Sequence, residues 1–195
     1  MIYLLIALST EAKPFIHHYQ LKAVKESVIT LFSNKEILLC VTQVGFENAS
    51  LAIEKLCEYR KPQESDIFIN IGLCGAPTQY AIGSLLVIDE LRYKSQTNKL
   101  SLHIDHSFKT SPLTTVAEAQ KNSFETPVDM ESFAIFQSAS KFIAKEKIFF
   151  IKIVSDHFKP ETLNKNLAYG LINRQIKSIT SLIYSLQRNQ QCLQQ

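Results

Sequence analysis

The chain has 195 residues with 46% apolar and 20% charged residues, the balance of an ordinary soluble globular protein and, most simply, of one domain spanning 1–195. The net charge of +3 is weak, and no Lys/Arg block marks a nucleic-acid or membrane face. The four cysteines (Cys40, Cys57, Cys74 and Cys192) form no CxxC pair, so the spacing points to neither zinc nor a redox motif; they read as reduced thiols in a cytoplasmic protein.

MIYLLIAL at the N-terminus lacks a basic flank and a cleavage site and is too short to cross a bilayer. Ile2–Leu8 therefore predicts a buried strand, followed by a helix over Glu11–Tyr19 with Thr10 as a candidate cap. Val28–Phe32 and Ile37–Val44 predict a hairpin about Ser33-Asn34. Asn48–Tyr59 has the pattern of an amphipathic helix that stops before Pro62. Ile67–Ile71, Leu85–Asp89 and Ile148–Val154 predict further buried strands, and a helix begins near Asp129. The last helix sets Ile172, Ile176, Ile179, Ile183 and Leu186 on one face, and the polar end QRNQQCLQQ is expected to fray. Apolar strands alternating with helices imply an α/β fold with a central sheet covered on both faces, mixed because of the early hairpin. Arg92–Phe124 is the least regular segment and is expected to form loops around a site.

Glycine is scarce, with five residues, and four of them fall near strand ends: Gly45, Gly72, Gly75 and Gly83. Ordinary turns explain such glycines as readily as close approach to a ligand does. GLCG is neither a dinucleotide fingerprint nor a phosphate loop, which sets aside a nucleotide-cofactor dehydrogenase and a P-loop enzyme. Three carboxylates stand at the mouths of predicted strands. Glu11 follows the first, Glu131 precedes an apolar helix, and Asp156 ends IFFIKIVS. Each alone is explained by a helix N-terminus or a turn; together they suggest chemistry. Asp129, in the same PVDMES run as Glu131, reads as a helix cap. His17, His18, His103 and His106 have no HExxH setting, so no metal site is expected. His157 reads as a loop histidine beside Asp156, and no neighbour activates Cys74.

The ordered blocks ALSTEA (7–12), TQVGFENA (42–49), INIGLCGA (69–76), IGSLLVIDE (82–90), VDMESFAI (128–135) and IVSDHF (153–158) resemble the purine nucleoside phosphorylase/nucleosidase superfamily. The likeness runs from residue 1 to about 185 and is strongest to the branch of 5′-methylthioadenosine/S-adenosylhomocysteine nucleosidase, futalosine hydrolase and the hopanoid-associated phosphorylase. It implies a three-layer α/β/α sandwich with a twisted mixed central sheet, and hydrolysis of the N-glycosidic bond of a purine nucleoside, with no cofactor and no metal. By that likeness Asp156 is the general acid that protonates the leaving purine at N7, and Glu11 activates the attacking water. Glu131 holds the ribose hydroxyls, Met130 packs on the sugar, and Gly75 brings backbone close to the ligand. Leu73 and Ser155 complete the substrate-binding set, with Leu73 standing where relatives carry a polar serine. Asp156 must stay protonated to act, and burial at a strand end is the expected source.

Gln43 occupies the first glycine position of the usual SGIGKVNA-like stretch, and Phe124 is the candidate for the aromatic over the base. A phosphorylase would need cations around a phosphate, for which Lys13 and Arg92 are candidates, although a GDPxR-like signature is absent. A degenerate member that binds nucleosides without catalysis is the other alternative. The partners implied are a small purine nucleoside and a second copy in a homodimer, with neither nucleic acid nor membrane.

Overall fold

In a computed structural model that describes residues 1–25, 27–102 and 108–192, with side chains described to 188, the chain order is strand-led. It begins β1 (Ile2–Ile6), α1 (Ser9–His18), β2 (Lys22–Ala23), β3 (Thr30–Ser33), β4 (Ile37–Val41) and α2 (Phe46–Tyr59). It continues through β5 (Ile67–Gly75), β6 (Leu85–Tyr93), β7 (Gln96–Lys99), β8 (Lys109–Thr115) and β9 (Val128–Asp129). It ends with α3 (Ser132–Ala139), β10 (Ile148–Asp156) and α4 (Lys165–Cys192).

β1, β4 and β10 are buried along their whole length, as their unbroken apolar runs require of strands covered on both faces. β1 lies between β4 and β5, parallel to both, and β5 continues in parallel with β10. The antiparallel β3–β4 pair is the expected hairpin, and β2 pairs antiparallel to β3. The mixed sheet then turns back on itself. β10 pairs with β6, β6 with β8, β8 with β9, and β9 returns to β5, closing a ring of strands.

Alternate residues of each strand feed two separate cores, as the two-residue repeat of a strand dictates. Tyr3, Leu5 and Phe68 pack with Ile53 and Leu56 of α2 and Phe133 and Phe136 of α3. Ile2, Leu4, Ile6 and Ile69 pack on the other face with Phe15 of α1 and Ile172, Ile179 and Ile183 of α4. Each such side chain contributes about 1.5–3 kcal/mol by burial, and the result is a three-layer α/β/α sandwich. Among the described residues no helix is long and apolar enough to cross a membrane.

Several sequence expectations are corrected. Arg92–Phe124 is not all loop, because β7 and β8 lie within it. β8 hides behind Pro112, which a regular inner strand excludes; the proline sits where the register with β6 shifts between Ile88 and Glu90. Thr10 is not the cap of α1, since the helix starts at Ser9 with Leu8 in the cap position and no side-chain cap bond. α4 runs on into the polar end as far as Cys192. His103 and His106 lie outside the described residues.

Gln43 adopts φ +64°, a left-handed conformation that costs a non-glycine residue roughly 1 kcal/mol. Its side chain is exposed, so glycine there loses no packing. Gln43→Gly is expected to raise stability by about 0.5–1 kcal/mol. A urea melt checks this: the midpoint should rise with an unchanged slope.

Candidate active site

The carboxyl ends of β1, β5 and β10 open on one cavity of about 160 Å³. Glu11, Leu73, Gly75, Met130, Glu131, Ser155 and Asp156 all line it, so residues from both ends of the chain converge. Asp129, Asn70, Lys152 and Phe158 line it as well.

Glu11 comes from the first turn of α1 and is 4% exposed. Burial pushes its carboxyl up to about 7, the Lys152 ammonium pulls it down, and Glu131 pushes it up again. Its Oε2 is buried without a hydrogen-bond partner, which is unusual for an oxygen of this kind. A methyl group placed on Gly72 would lie 3.4 Å from this oxygen and 3.6 Å from Lys152 Nζ, so carboxyl and ammonium face the cavity together.

Glu131 stands in the cap position of α3, and its Oε1 accepts the Gly45 N–H at 2.8 Å. Gly45 has φ +100°, a conformation that only glycine adopts freely, and this aims its amide at the carboxylate. Burial and the nearby Asp129 push Glu131 up to about 7, against Lys152 and the Gly45 N–H.

Asp156, 6% exposed, closes β10. Its Oδ2 lies 2.6 Å from Ser155 Oγ, a contact in which either oxygen can carry the hydrogen, and its Oδ1 accepts the Lys159 N–H at 2.8 Å, so both oxygens are held in place. Ser155 Oγ also lies 3.1 Å from the Cys74 carbonyl oxygen. A methyl group on Gly75 would lie 3.4 Å from Asp156 Oδ1, an ordinary contact, so the acid adjoins the backbone of Gly75 at the cavity wall.

Asp129 is not the cap of α3, a position that Glu131 holds; it ends β9, and its Oδ2 accepts the N–H of Ser132, the first residue of the helix, at 2.9 Å. The same oxygen accepts Ser132 Oγ at 2.5 Å and pairs with Lys152 Nζ at 2.9 Å, while Oδ1 accepts Thr115 Oγ1 at 2.8 Å. Lys152 is 1% exposed; burial opposes its charge, but Asp129 and Glu131 hold its ammonium above the usual lysine range. Removing either partner of such a pair leaves an uncompensated buried charge. Sequence reasoning passed over Lys152, although a lysine in the middle of IFFIKIVSD was a visible signal. Asn70 in IFINI was another: its Nδ2 donates to the Leu5 carbonyl at 2.9 Å and its Oδ1 lies 3.0 Å from Ser132 Oγ.

Other candidates fall outside this constellation. Lys13 is exposed, and Arg92 pairs with Glu90 at 2.6 Å; neither lines the cavity. His157 Nδ1 meets the Ala76 carbonyl at 2.9 Å, tying the loop to the end of β5. Burial pushes the Cys74 thiol up to about 12, so it supplies no thiolate near neutrality. Phe124 does not line the cavity; its ring stands behind that of Phe158, with centroids 6.1 Å apart.

No family model matches the chain, and no curated protein does. Solved structures do: the fold is that of solved nucleosidases and of a futalosine hydrolase. More particularly, it is similar to the 5′-methylthioadenosine/S-adenosylhomocysteine nucleosidase of Streptococcus pneumoniae solved with the transition-state inhibitor MT-ImmA. The TM-score is 0.78 at 14% identity, over 95% of this chain and 99% of that one. A Helicobacter pylori nucleosidase, an aspartate-to-asparagine mutant with 5′-methylthioadenosine in its active site, gives 0.78 at 13% identity over 93% and 97%. The futalosine hydrolase of H. pylori gives 0.76 at 15% identity over 93% and 96%.

Proposed function

We propose that the chain hydrolyses the N-glycosidic bond of a purine nucleoside to free base and sugar, with a 5′-modified nucleoside such as methylthioadenosine, S-adenosylhomocysteine or futalosine as the substrate class. The observation that carries this reading is the burial of Glu11, Glu131 and Asp156 around one cavity. Asp156 gives its proton to N7 of the purine as the bond from the sugar to N9 breaks. The sugar gains positive charge, which the surrounding carboxylates stabilise. Water attacks the anomeric carbon and its proton passes to Glu11, whose pKa of about 7 suits a base working near neutrality. Lys152 favours the ionised form that Glu11 needs. Glu131 accepts from the ribose hydroxyls, with Met130 against the sugar.

Assays of base release from methylthioadenosine, S-adenosylhomocysteine, adenosine, inosine and futalosine test the reading, and release from none of them would refute it. Water is favoured over phosphate because Lys152, the one basic side chain among the described cavity residues, is already bound to Asp129. A rate that depends on added phosphate would reverse that choice. Leu73 favours a second reading, binding without catalysis, because it sets an apolar side chain on the cavity wall where the resemblance implies a polar serine. Calorimetric binding with no base released on long incubation would support it.

Glu131→Gln keeps an oxygen for the Gly45 N–H and removes the charge. Loss of a charged hydrogen bond to the sugar is expected to raise KM roughly 10–100-fold without loss of stability. Steady-state kinetics beside a thermal melt separate the two effects. A homodimer in the cytoplasm belongs to the same proposal. The free thiols of Cys40, Cys57 and Cys74 suit a reducing compartment, and light scattering reports the oligomeric state.

A further inference from the structure

The acid at the end of β10 does not stand where a regular strand would put it. Val154 pairs with Cys74, so an unbroken register would set Ser155 opposite Gly75; the pairing slips by one residue, and Asp156 stands there instead. Such a slip re-aims a side chain, because successive residues of a strand point to opposite faces. Its near side is pinned by the chain that leads into β6. The Val154 N–H donates to the Ser84 carbonyl at 3.0 Å, and the Val154 carbonyl accepts the Gly83 N–H at 2.8 Å. Its far side rests on Ala76. The Ala76 N–H donates to the Asp156 carbonyl at 2.9 Å, and the Ala76 carbonyl lies 2.9 Å from Nδ1 of the half-buried His157. A carbonyl only accepts, so Nδ1 carries the hydrogen. β10 has ended by this point. Phe158, at φ +57°, a conformation rare for a bulky residue, turns the chain away, and the Lys159 N–H is committed to Asp156 Oδ1. The imidazole therefore supplies the donor that the backbone of a continuing strand would have given.

We propose that His157 is a positioning residue: its bond to the Ala76 carbonyl locks the slipped register and so holds Asp156 at the cavity. The inference rests on Asp156 being the acid of the proposed hydrolysis and adds the residue that keeps that acid in place. His157 is not among the described residues that line the cavity, so it acts through Asp156 and not on the ligand. Proton transfer needs hydrogen-bond contact, and an acid misplaced by about 1 Å loses much of its effect.

The test uses 5′-methylthioadenosine or, where the wild type prefers it, futalosine. His157→Ala is expected to lower kcat for base release about 10–100-fold, with KM little changed because the sugar still meets Glu131 and Met130. His157→Leu keeps bulk but offers no donor and should match it. His157→Asn places its Nδ2 where the imidazole carries Nδ1, so it should restore most of the rate. A residue that only steadied the fold would move the melting midpoint, and bulk would repair it as well as a donor does. A double-mutant cycle then asks whether His157 acts through the acid. In an Asp156→Asn background, followed by single-turnover base release, His157→Ala should cost little more. If the wild type releases base from no nucleoside, or Asp156→Asn releases it at the wild-type rate, the hydrolysis reading or its acid fails and this inference with it. If Asp156→Asn is slow while His157→Ala keeps the wild-type kcat, only this inference is overturned. Losses that multiply in the double variant, or equal rates for His157→Asn and His157→Leu, overturn it as well.

Discussion

Asp156→Asn is expected to lower base release by about 10²–10⁴-fold while the fold survives. The asparagine has the same shape, and the neighbours accept it. Its oxygen keeps the Lys159 N–H, and its amide donates to Ser155 Oγ, which can accept as readily as donate. What is lost is the transferable proton. Because the leaving base is then expelled as an anion, the loss should fall on kcat more than on KM. Single-turnover measurement of base release, with a melt run alongside, checks the pair of claims. Release at the wild-type rate would remove Asp156 from the chemistry.

Glu11→Gln is expected to show a similar loss of turnover together with a gain in stability at alkaline pH. In the folded chain the Glu11 carboxyl is held up at about 7, against an ordinary value of 4.5. Between those values the folded state keeps a proton that the unfolded state releases. Stability therefore falls as pH rises through that window and levels off above it. Glu131, also raised to about 7, steepens the same fall. Removing the ionisable group at position 11 should recover about 3 kcal/mol at pH 8, or roughly 6–12 °C in melting temperature. Below pH 5 the variant and the wild type should converge. Activity runs the opposite way, because the base must be ionised: kcat/KM should climb with pH up to a limb near 7. Equal melting curves for the two proteins at pH 8 would mean that Glu11 carries no desolvation cost. Opposed trends in stability and activity at one residue are what a strained catalytic group produces.

The sheet was legible because its strands are unbroken apolar runs, and β1, β4, β5 and β10 need no partner to be recognised. The hairpin was legible from Ser33-Asn34. β8 was not, because Pro112 argues against a strand unless a register shift elsewhere accommodates it. The three acids were visible as strand-end carboxylates, yet their convergence is a property of the parallel sheet, which brings the carboxyl ends of β1 and β10, on either side of β5, to the same end of it. The Lys152–Asp129 pair was missed because a strand lysine and an aspartate before a helix each have an ordinary explanation, and only the sheet, in which β9 and β10 both pair with β5, joins them. Phe158 was missed for a different reason. No side-chain pattern announces a positive φ at phenylalanine; it follows from what its neighbours have already bonded.

The ring formed by β5, β10, β6, β8 and β9 has a consequence for how copies of this protein can meet. Those five strands spend much of their backbone hydrogen bonding on one another. Among the described residues the sheet's open margins are β2 and β7, two and four residues long. Margins so short offer little template for adding a strand from another molecule, so growth into ribbons or fibres through the backbone is disfavoured. Contact between copies is left to side chains on the helical layers, where it can be tuned by substitution without disturbing the ladder that positions Glu11 and Asp156.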